Sequence, residues 1–205
     1  MPTSLHHVPV DVDVLRDEIQ RTYTEVSTEQ GRDFIFPTGR AWAEELGYPE
    51  PELSRVPDAC VASFAGVANH FVLGRIEPGE TVLDLGCGAG TDLLIAAQMA
   101  GPDGRAIGVD MTPSMLEHAR EGAHAMGLGD RVELHESLIE SLPVEDGSVD
   151  VVISNGVVDL VPDKEAVFAE IDRVLRPGGR LQIADVVIHT EVSEDARARI
   201  DLWTG

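Results

Sequence analysis

Three glycines and two aspartates in the middle of the chain have the types and spacing of a cofactor-binding loop. Residues 81–90 read Thr-Val-Leu-Asp-Leu-Gly-Cys-Gly-Ala-Gly, an apolar, β-prone run that leads into glycines at 86, 88 and 90. A helix-forming run follows directly, at residues 92–100. Strand, glycine loop and helix in this order let the backbone approach an adenosine-containing cofactor at the edge of a doubly wound sheet.

The spacing of the glycines distinguishes between cofactors. A dinucleotide-binding loop reads Gly-x-Gly-x-x-Gly. Here the third glycine comes one residue early and Thr91 takes the later position, while an acid, Asp84, precedes the first glycine by two residues. NAD-dependent redox chemistry is therefore a weak alternative.

A second acid lies where such a fold binds ribose. Residues 104–110 predict a strand with Asp110 at its carboxyl end, 24 residues after Gly86. Doubly wound folds place an acid here to accept hydrogen bonds from ribose hydroxyls. The alternative is an aspartate that caps the next helix or is merely solvated. The distance of Asp110 from the glycine loop along the sequence favours the ribose-binding role.

The elements that must position these residues alternate regularly from Glu80 onward. This alternation predicts an α/β fold, a doubly wound and mainly parallel sheet of about five strands with helices on both faces. Residues 173–181 should end a helix and reverse the chain, because a proline and two glycines interrupt it. The predicted strands are 81–85, 105–109, 131–135, 148–154 and 180–188, and the predicted helices are 91–100, 113–126, 164–175 and 194–202.

The amino-terminal part has a different pattern. Apolar residues at three- and four-residue steps predict a helix over 11–30. A connector rich in proline, glycine and acids follows at 31–57, with a short helix predicted at 40–46, and 58–75 reads as a second helical region. We therefore expect a helical cap and connector over 1–75 and a cofactor-binding core over 76–205.

Composition fits a globular enzyme. The chain has 205 residues, without a signal-peptide pattern or an apolar run of about 20 residues that would span a membrane. Its two cysteines, Cys60 and Cys87, make neither a disulfide framework nor a metal-binding pair, so we expect no metal and a cytoplasmic location.

The charge is strongly negative. Thirty-seven acids against fifteen bases give a net charge of −22, and Lys164 is the only lysine. The negative electrostatic field of such a chain repels nucleic-acid phosphate and anionic membranes, so we expect neither nucleic acid nor membrane as a partner. The acids are spread along the chain, which favours solubility or salt adaptation over recruitment of a cationic partner.

With these motifs in hand, the chain resembles the class I S-adenosylmethionine (SAM) methyltransferases. Asp84 to Gly90 matches their motif I, Asp-x-Gly-x-Gly-x-Gly. From about residue 58 onward the chain is similar to the arsenite-methyltransferase-like branch. That likeness rests on residues 63–69, 108–113, 139–144, 153–157 and 162–165.

The resemblance implies a SAM-dependent methyltransferase that acts on a small molecule and releases S-adenosylhomocysteine (SAH). It implies that Ser154 and Asn155 border the transferring methyl group and that Tyr23 folds over the cofactor; a polar turn and core packing are the alternatives. The implied cofactor-binding set is Tyr23, Asp84, Leu85, Gly86, Cys87, Gly88, Gly90, Asp110, Met111, Leu138, Ile139, Ser154 and Asn155.

Two departures from the family pattern limit what the resemblance implies. Arsenite methylation needs thiolates for a soft metalloid, yet Val67 and Gly156 stand where this branch has cysteines. Arsenite is therefore not the expected acceptor. Relatives also carry an acid where this chain has Leu138, so adenine would rely on apolar packing and backbone N–H groups near 138–139. Glu136 is either a substitute acceptor or a solvated strand residue.

No general base stands out among the titratable residues. Methyl transfer from a sulfonium needs a base only if the acceptor must lose a proton, and the protein otherwise orients the reactants. Among seven histidines, His70 is the candidate, and a surface or packing role is its alternative.

The carboxyl end is shorter than the family pattern. Class I enzymes usually add two more strands after the fifth, whereas this chain stops at Gly205. The edge of the fifth strand should then be open, which invites pairing with a second copy. We expect a shortened form of a longer protein. A non-catalytic SAM- or SAH-binding remnant is the alternative function.

Overall fold

A five-stranded parallel sheet lies at the centre of the molecule, in the order β3-β2-β1-β4-β5. The computed structural model describes residues 10–29, 32, 34–189, 193, 199 and 203. The predicted α/β fold and its five strands are confirmed. The strands are β1 (Thr81–Leu85), β2 (Arg105–Asp110), β3 (Val132–Glu136), β4 (Val149–Asn155) and β5 (Leu175–Ala184).

Helices cover the sheet and precede it. Those predicted at 11–30, 40–46, 91–100, 113–126 and 164–175 are present within two residues at each end, whereas the one predicted at 194–202 lies outside the described residues. The helices are α1 (Val12–Thr28), α2 (Arg40–Glu45), α3 (Glu50–Leu53), α4 (Asp58–Val61), α5 (Thr91–Ala100), α6 (Pro113–Ala125) and α7 (Lys164–Val174), with 3₁₀ turns at His70–Leu73 and Val158–Leu160. Among the described residues, no helix has the length and apolar character that a membrane crossing requires.

The strand order creates the place for a ligand. The chain runs outward from β1 to β2 and β3, then returns to pair β4 with the other side of β1. In open α/β sheets, ligands bind beyond the carboxyl ends of the strands at such a switch point. The register puts Leu85 between Val109 and Ser154, so the glycine loop after β1 begins at that crevice.

Two apolar clusters hold the sheet between its layers. Successive residues of β1 face opposite sides, so Val82 packs with α5 and Leu83 with α7. The cluster on the α5 side also contains Tyr48, Leu53 and other residues from the amino-terminal part. The first helices therefore share a core with the sheet.

The region 58–75 is not the continuous helical region that the apolar pattern predicts. Helix α4 ends at Val61, and residues 62–69 form a loop before a 3₁₀ turn. The side chain of Asn69 accepts a hydrogen bond from the N–H of Phe71 at 3.1 Å and so caps that turn. The apolar residues of this segment contact the core from a loop, which removes any need for helical periodicity.

The fifth strand begins earlier and ends earlier than predicted. It starts at Leu175, directly after α7, and ends at Ala184. The Pro-Gly-Gly stretch does not reverse the chain but forms an irregularity in the strand, because the pairing shifts from Val149–Leu175 to Val151–Arg180.

Candidate active site

A cleft opens at the carboxyl ends of β1, β2 and β4. Its empty space, including the open mouth, is about 1040 Å³. The lining combines the loop after β1, the end of β2 and the turn after β3 with segments from outside the sheet. These segments are residues 63–66 and 155–157, residues 160–162, and one side of α1.

The glycine loop needs its glycines for conformation and for space. Gly86, Gly88 and Gly90 have φ angles of 66°, 51° and 89°, in the left-handed region that other residues rarely adopt. A Cβ on Gly86 would also lie 2.6 Å from both Cγ atoms of Val157. The loop therefore turns tightly beneath the cleft and touches the segment after β4.

Asp110 organises the loop from the end of β2. Its carboxylate accepts hydrogen bonds from the N–H of Gly88 and the N–H of Thr112, each at 2.8 Å. Burial raises the pKa of this carboxyl, and the two backbone donors partly offset that rise. The residue lines the cleft, so the carboxylate that fixes the loop also belongs to the wall that a ligand would contact.

Two further carboxylates line the cleft with oxygens that no donor satisfies. Oδ2 of Asp84 and Oδ1 of Asp92 are buried and have no hydrogen-bond partner within the part of the chain that the structure describes. Burial raises the pKa of Asp84 well above its usual value, and the charges of Asp92 and Asp110 raise it further. Such oxygens suit a ligand that carries a positive charge or several donors.

Asn155, the last residue of β4, ties the sheet to the loop at 62–69. Its Nδ2 donates to the Tyr48 hydroxyl at 2.8 Å, to the carbonyl of Ala68 at 2.9 Å and to Oδ2 of Asp92 at 3.1 Å. Its Oδ1 accepts from the N–H of Val67 at 2.8 Å. One amide thus fixes the wall of the cleft opposite the glycine loop.

Helix α1 closes the other side. Arg16 forms an ion pair with Glu140 at 3.0 Å, and Nε2 of Gln20 donates to the carbonyl of Met111 at 2.7 Å. Tyr23 stacks on Phe36 with ring centroids 6.2 Å apart. Burial raises the pKa of the Tyr23 phenol, and nearby carboxylates raise it further. The side chain is therefore uncharged where it lines the cleft.

With this geometry in place, comparison with known proteins identifies the family. The sequence model of a family described as "Methyltransferase domain" matches residues 76–203. An arsenite methyltransferase of Halobacterium salinarum is 46% identical over 82% of the chain and 42% of its own length. The chain belongs to the methyltransferase family.

Solved structures place it among the class I SAM-dependent methyltransferases. An arsenic(III) SAM methyltransferase from Chlamydomonas reinhardtii superposes with a TM-score of 0.66 at 37% identity, over 71% of this chain and 51% of that one. A geranyl diphosphate methyltransferase in complex with GPP and sinefungin gives a TM-score of 0.57 at 26% identity, over 82% and 64%. The chain spans less than half the length of the curated arsenite methyltransferases that it matches.

Most of the sequence-predicted site residues of this methyltransferase meet in the cleft. Leu85 and Ser154 are fully buried in the sheet instead, and Gly90 precedes α5 without lining the cleft. The predicted residues that line it are Tyr23, Asp84, Gly86, Cys87, Gly88, Asp110, Met111, Leu138, Ile139 and Asn155.

His70 lies behind the cleft. Its ring is 1% exposed and is absent from the lining. Nε2 is 3.2 Å from Oδ2 of Asp92, an ion-pair distance without the alignment of a hydrogen bond. In this position the histidine contacts the carboxylate of Asp92, which lines the cleft, and does not line the cleft itself.

The end of the cleft where the resemblance places adenine is formed by the turn after β3. Leu138 and Ile139 line it, together with Glu140. Glu136 is exposed and does not line the cleft, which corresponds to the solvated alternative. Glu140 is the carboxylate that faces the cleft here, and it is already paired with Arg16.

The structure adds residues that the sequence pattern did not reveal. Asp92 stands in the first turn of α5, where its neighbours are ordinary helix formers, so nothing in the sequence separates it from a surface acid. Tyr48 joins the site only because α2 and α3 pack against the sheet. Among the described residues, no group of three or more His, Cys, Asp or Glu side chains is placed to hold a metal ion.

The two positions where the resemblance implies arsenic-binding cysteines lie side by side. A Cβ on Gly156 would be 3.1 Å from Cγ1 of Val67. Of the two thiols in the chain, Cys87 lines the cleft and Cys60 is buried behind it, bonded to the carbonyl of His118 at 3.4 Å. Burial raises the pKa of both thiols, so neither is a ready thiolate.

Proposed function

We propose that this chain binds SAM in the cleft and transfers its methyl group to a small-molecule acceptor. One observation carries the proposal: Asp84 and Asp92, each with a buried carboxylate oxygen that no described donor satisfies, line the same cleft as the glycine loop and Asp110. SAM carries an ammonium and a sulfonium, which supply the missing positive charge. When bound, SAM supplies the electrophilic methyl group.

Each part of the cleft then has a task. Asp110 accepts hydrogen bonds from the ribose hydroxyls while it holds Gly88 in place. The glycine loop lets the backbone pass beside the methionine part, and Leu138 and Ile139 pack on the adenine. Tyr23 covers the cofactor and excludes water. Catalysis by this chain consists chiefly of positioning, because the cofactor brings its own electrophile.

We infer that the acceptor is not arsenite. Val67 and Gly156 are adjacent at the place where the arsenite-methyltransferase-like branch has cysteines, and they offer a methyl-lined wall to a soft metalloid. The geranyl diphosphate methyltransferase, whose fold is similar, is named for an organic diphosphate and was solved in complex with GPP and sinefungin. Acceptor class therefore varies on this fold, and the wall at Val67 favours an organic acceptor.

A labelled-methyl assay tests both parts of the proposal. Methyl-labelled SAM is incubated with the chain and a panel of thiols, phenols, alcohols and arsenite, and products are identified by mass spectrometry. We expect label in an organic acceptor and none in arsenite. Methylated arsenic from the wild-type chain would contradict the acceptor inference.

A matched pair of variants sharpens the arsenite question. Val67→Cys with Gly156→Cys restores a thiol pair at the two adjacent positions, and Val67→Ser with Gly156→Ser is its control. We expect bound arsenic, measured by mass spectrometry after gel filtration, only in the cysteine pair. Equal amounts of bound arsenic in the wild type and in the cysteine pair would mean that Val67 and Gly156 do not determine whether the chain binds arsenic.

The remaining expectations are proposals of the same kind. We propose a cytoplasmic protein with a cap at 1–75 and a core at 76–205, neither bound to nucleic acid nor to membrane. Within the described residues β5 pairs with β4 alone, so its other edge could join a second copy. The similarity to enzymes does not favour the alternative of a non-catalytic remnant, and methyl turnover by the chain would exclude it.

A further inference from the structure

Asp92 is the centre of a buried network that reaches from the cleft to the core. The residue is 7% exposed and lines the cleft, and its Oδ1 is buried without a donor from any described residue. Its Oδ2 accepts a hydrogen bond from the amide of Asn155 at 3.1 Å and lies 3.2 Å from Nε2 of His70. One oxygen is thus held by the protein and the other is left for a ligand.

The first turn of a helix is a favourable place for a carboxylate side chain. Asp92 stands in the first turn of the ten-residue helix α5, where the helix dipole stabilises an anion. The charge of Asp92 also raises the pKa of the Tyr48 phenol, after the larger effect of burial, so the phenol remains protonated beside it. A buried carboxylate of this kind is costly unless a cation meets its free oxygen.

The position of Asp92 indicates which cation that is. Its partner Asn155 ends β4, and the amide of Asn155 holds the loop at Val67 and Ala68. The family resemblance puts the transferring methyl group beside Asn155. Asp84 lies on β1, at the glycine loop, beside which the resemblance puts the methionine part of the cofactor.

We propose that Asp92, positioned by His70 and Asn155, is the counter-ion of the cofactor's sulfonium, so that it favours the charged cofactor SAM over the neutral product SAH. The inference rests on the proposed function, since it assumes that SAM binds in this cleft. It assigns His70 a positioning role through Asp92. Loss of the sulfonium charge on methyl transfer would remove the partner of Oδ1 and so favour release of SAH.

Three ligands separate the sulfonium from every other group of the cofactor. SAM carries a sulfonium, sinefungin carries an amine at the same place, and SAH carries a neutral thioether, while all three share the ammonium, ribose and adenine. Asp92→Asn keeps the shape and the contact to Asn155 but removes the charge. Titration calorimetry of wild type and variant with each ligand therefore isolates the effect of one charge on one site.

We expect Asp92→Asn to weaken SAM and sinefungin by about tenfold or more, as one charge pair a few ångströms apart in a partly buried site would, and to weaken SAH by less than about threefold. Asp150→Asn is the matched control. Asp150 is also 7% exposed, but it lies on β4 away from the cleft, bonded to the N–H of Thr81 at 2.7 Å. It should leave the SAM-to-SAH affinity ratio unchanged.

The positioning role of His70 has its own readout. We expect His70→Ala to lower the SAM-to-SAH affinity ratio and His70→Gln, which keeps a polar side chain beside Asp92, to recover part of it. An equal loss for all three ligands in Asp92→Asn, or no loss, would overturn the inference while leaving SAM binding intact. If folded wild-type chain binds none of them, the proposed function fails and this inference fails with it.

Discussion

The two halves of the cleft are built in different ways. On the proposed function, the cofactor half is built mainly on one continuous stretch, Asp84 to Asp110, in which glycine conformations and backbone N–H groups shape the loop, and Leu138 and Ile139 complete it. The acceptor half is assembled from residues 63–68, 155–157 and 160–162, which are far apart in the chain. The amide of Asn155 joins the first two of these segments.

This difference predicts which half of the cleft can vary in its lining residues and which half cannot. A cofactor half that depends on backbone geometry tolerates few substitutions, because each glycine of the loop has a backbone conformation that other residues rarely adopt. An acceptor half held by side chains can change its lining while the sheet stays the same. Val67 and Gly156 illustrate this, because the resemblance implies cysteines at both positions, and valine and glycine give that wall a different chemistry.

The largest effect should come from Gly86→Ala, where the two halves touch. The variant combines a strained φ of 66° with a Cβ placed 2.6 Å from the Val157 methyls. We expect a loss of about 2–5 kcal/mol in the free energy of unfolding and undetectable SAM binding, measured by urea denaturation and calorimetry. Gly79→Ala, with a φ of 90° and nothing within 4 Å, is the control and should show the conformational cost alone. Equal losses in the two variants would mean that the contact with Val157 is unimportant.

Asn155→Ala should produce the next largest effect, on the acceptor half. It leaves the N–H of Val67 and the hydroxyl of Tyr48 without the partners they have in the wild type. We expect about 2–4 kcal/mol less stability and a raised KM for the acceptor, with SAM affinity changed less than about tenfold. Asn69→Ala, which removes a bond on the same loop, is the control and should cost about 1 kcal/mol. A larger effect on SAM than on the acceptor would contradict the division into halves.

A pH dependence of stability should also arise at Asp159, next to the acceptor half. Burial raises the pKa of Asp159 to about 7, and the neighbouring Asp185 contributes to the rise. Asp159 follows strand β4, and Asp185 follows strand β5. An acid whose pKa is raised on folding stabilises the protein below its unfolded pKa of about 3.9, and this contribution is lost as pH rises through the folded value. We expect the Tm of wild type to fall between about pH 4 and about pH 7 more steeply than that of Asp159→Asn. Asp172→Asn, an exposed acid on α7, should follow wild type. Parallel curves for wild type and Asp159→Asn would show that this pair does not control stability.

The smallest effect should come from the ion pair that holds α1 over the cleft. Arg16 and Glu140 are 32% and 12% exposed at their side chains. We expect Arg16→Gln to cost at most about 1 kcal/mol of stability and to weaken SAM by less than about fivefold. Arg21→Gln, on the outer face of α1, is the control. A loss of SAM binding in Arg16→Gln comparable to that in Gly86→Ala would make α1 an essential part of the cofactor half.

The same contrast explains what could be predicted from the sequence. The glycine loop, Asp110 and the alternation of strands and helices depend on local patterns, and all were predictable. The loop at 62–69, the irregular start of β5 and the burial of Asp92 depend on packing between distant segments. An acid in the first turn of a helix reads as solvated until the fold brings His70 and Asn155 to it.

Calorimetric titration of wild type and Asp110→Ala with SAM tests the central claim most directly, because the proposed function gives Asp110 two tasks, to hold the glycine loop and to bind the ribose. We predict one-to-one binding in the micromolar range for wild type, and binding weaker by about 100-fold for Asp110→Ala, since two charge-assisted hydrogen bonds to the loop and those to the ligand are lost. Asp103→Ala, in an exposed turn after α5, should bind as wild type does. Equal SAM affinity in wild type and Asp110→Ala, or no binding to folded wild type, would contradict the account.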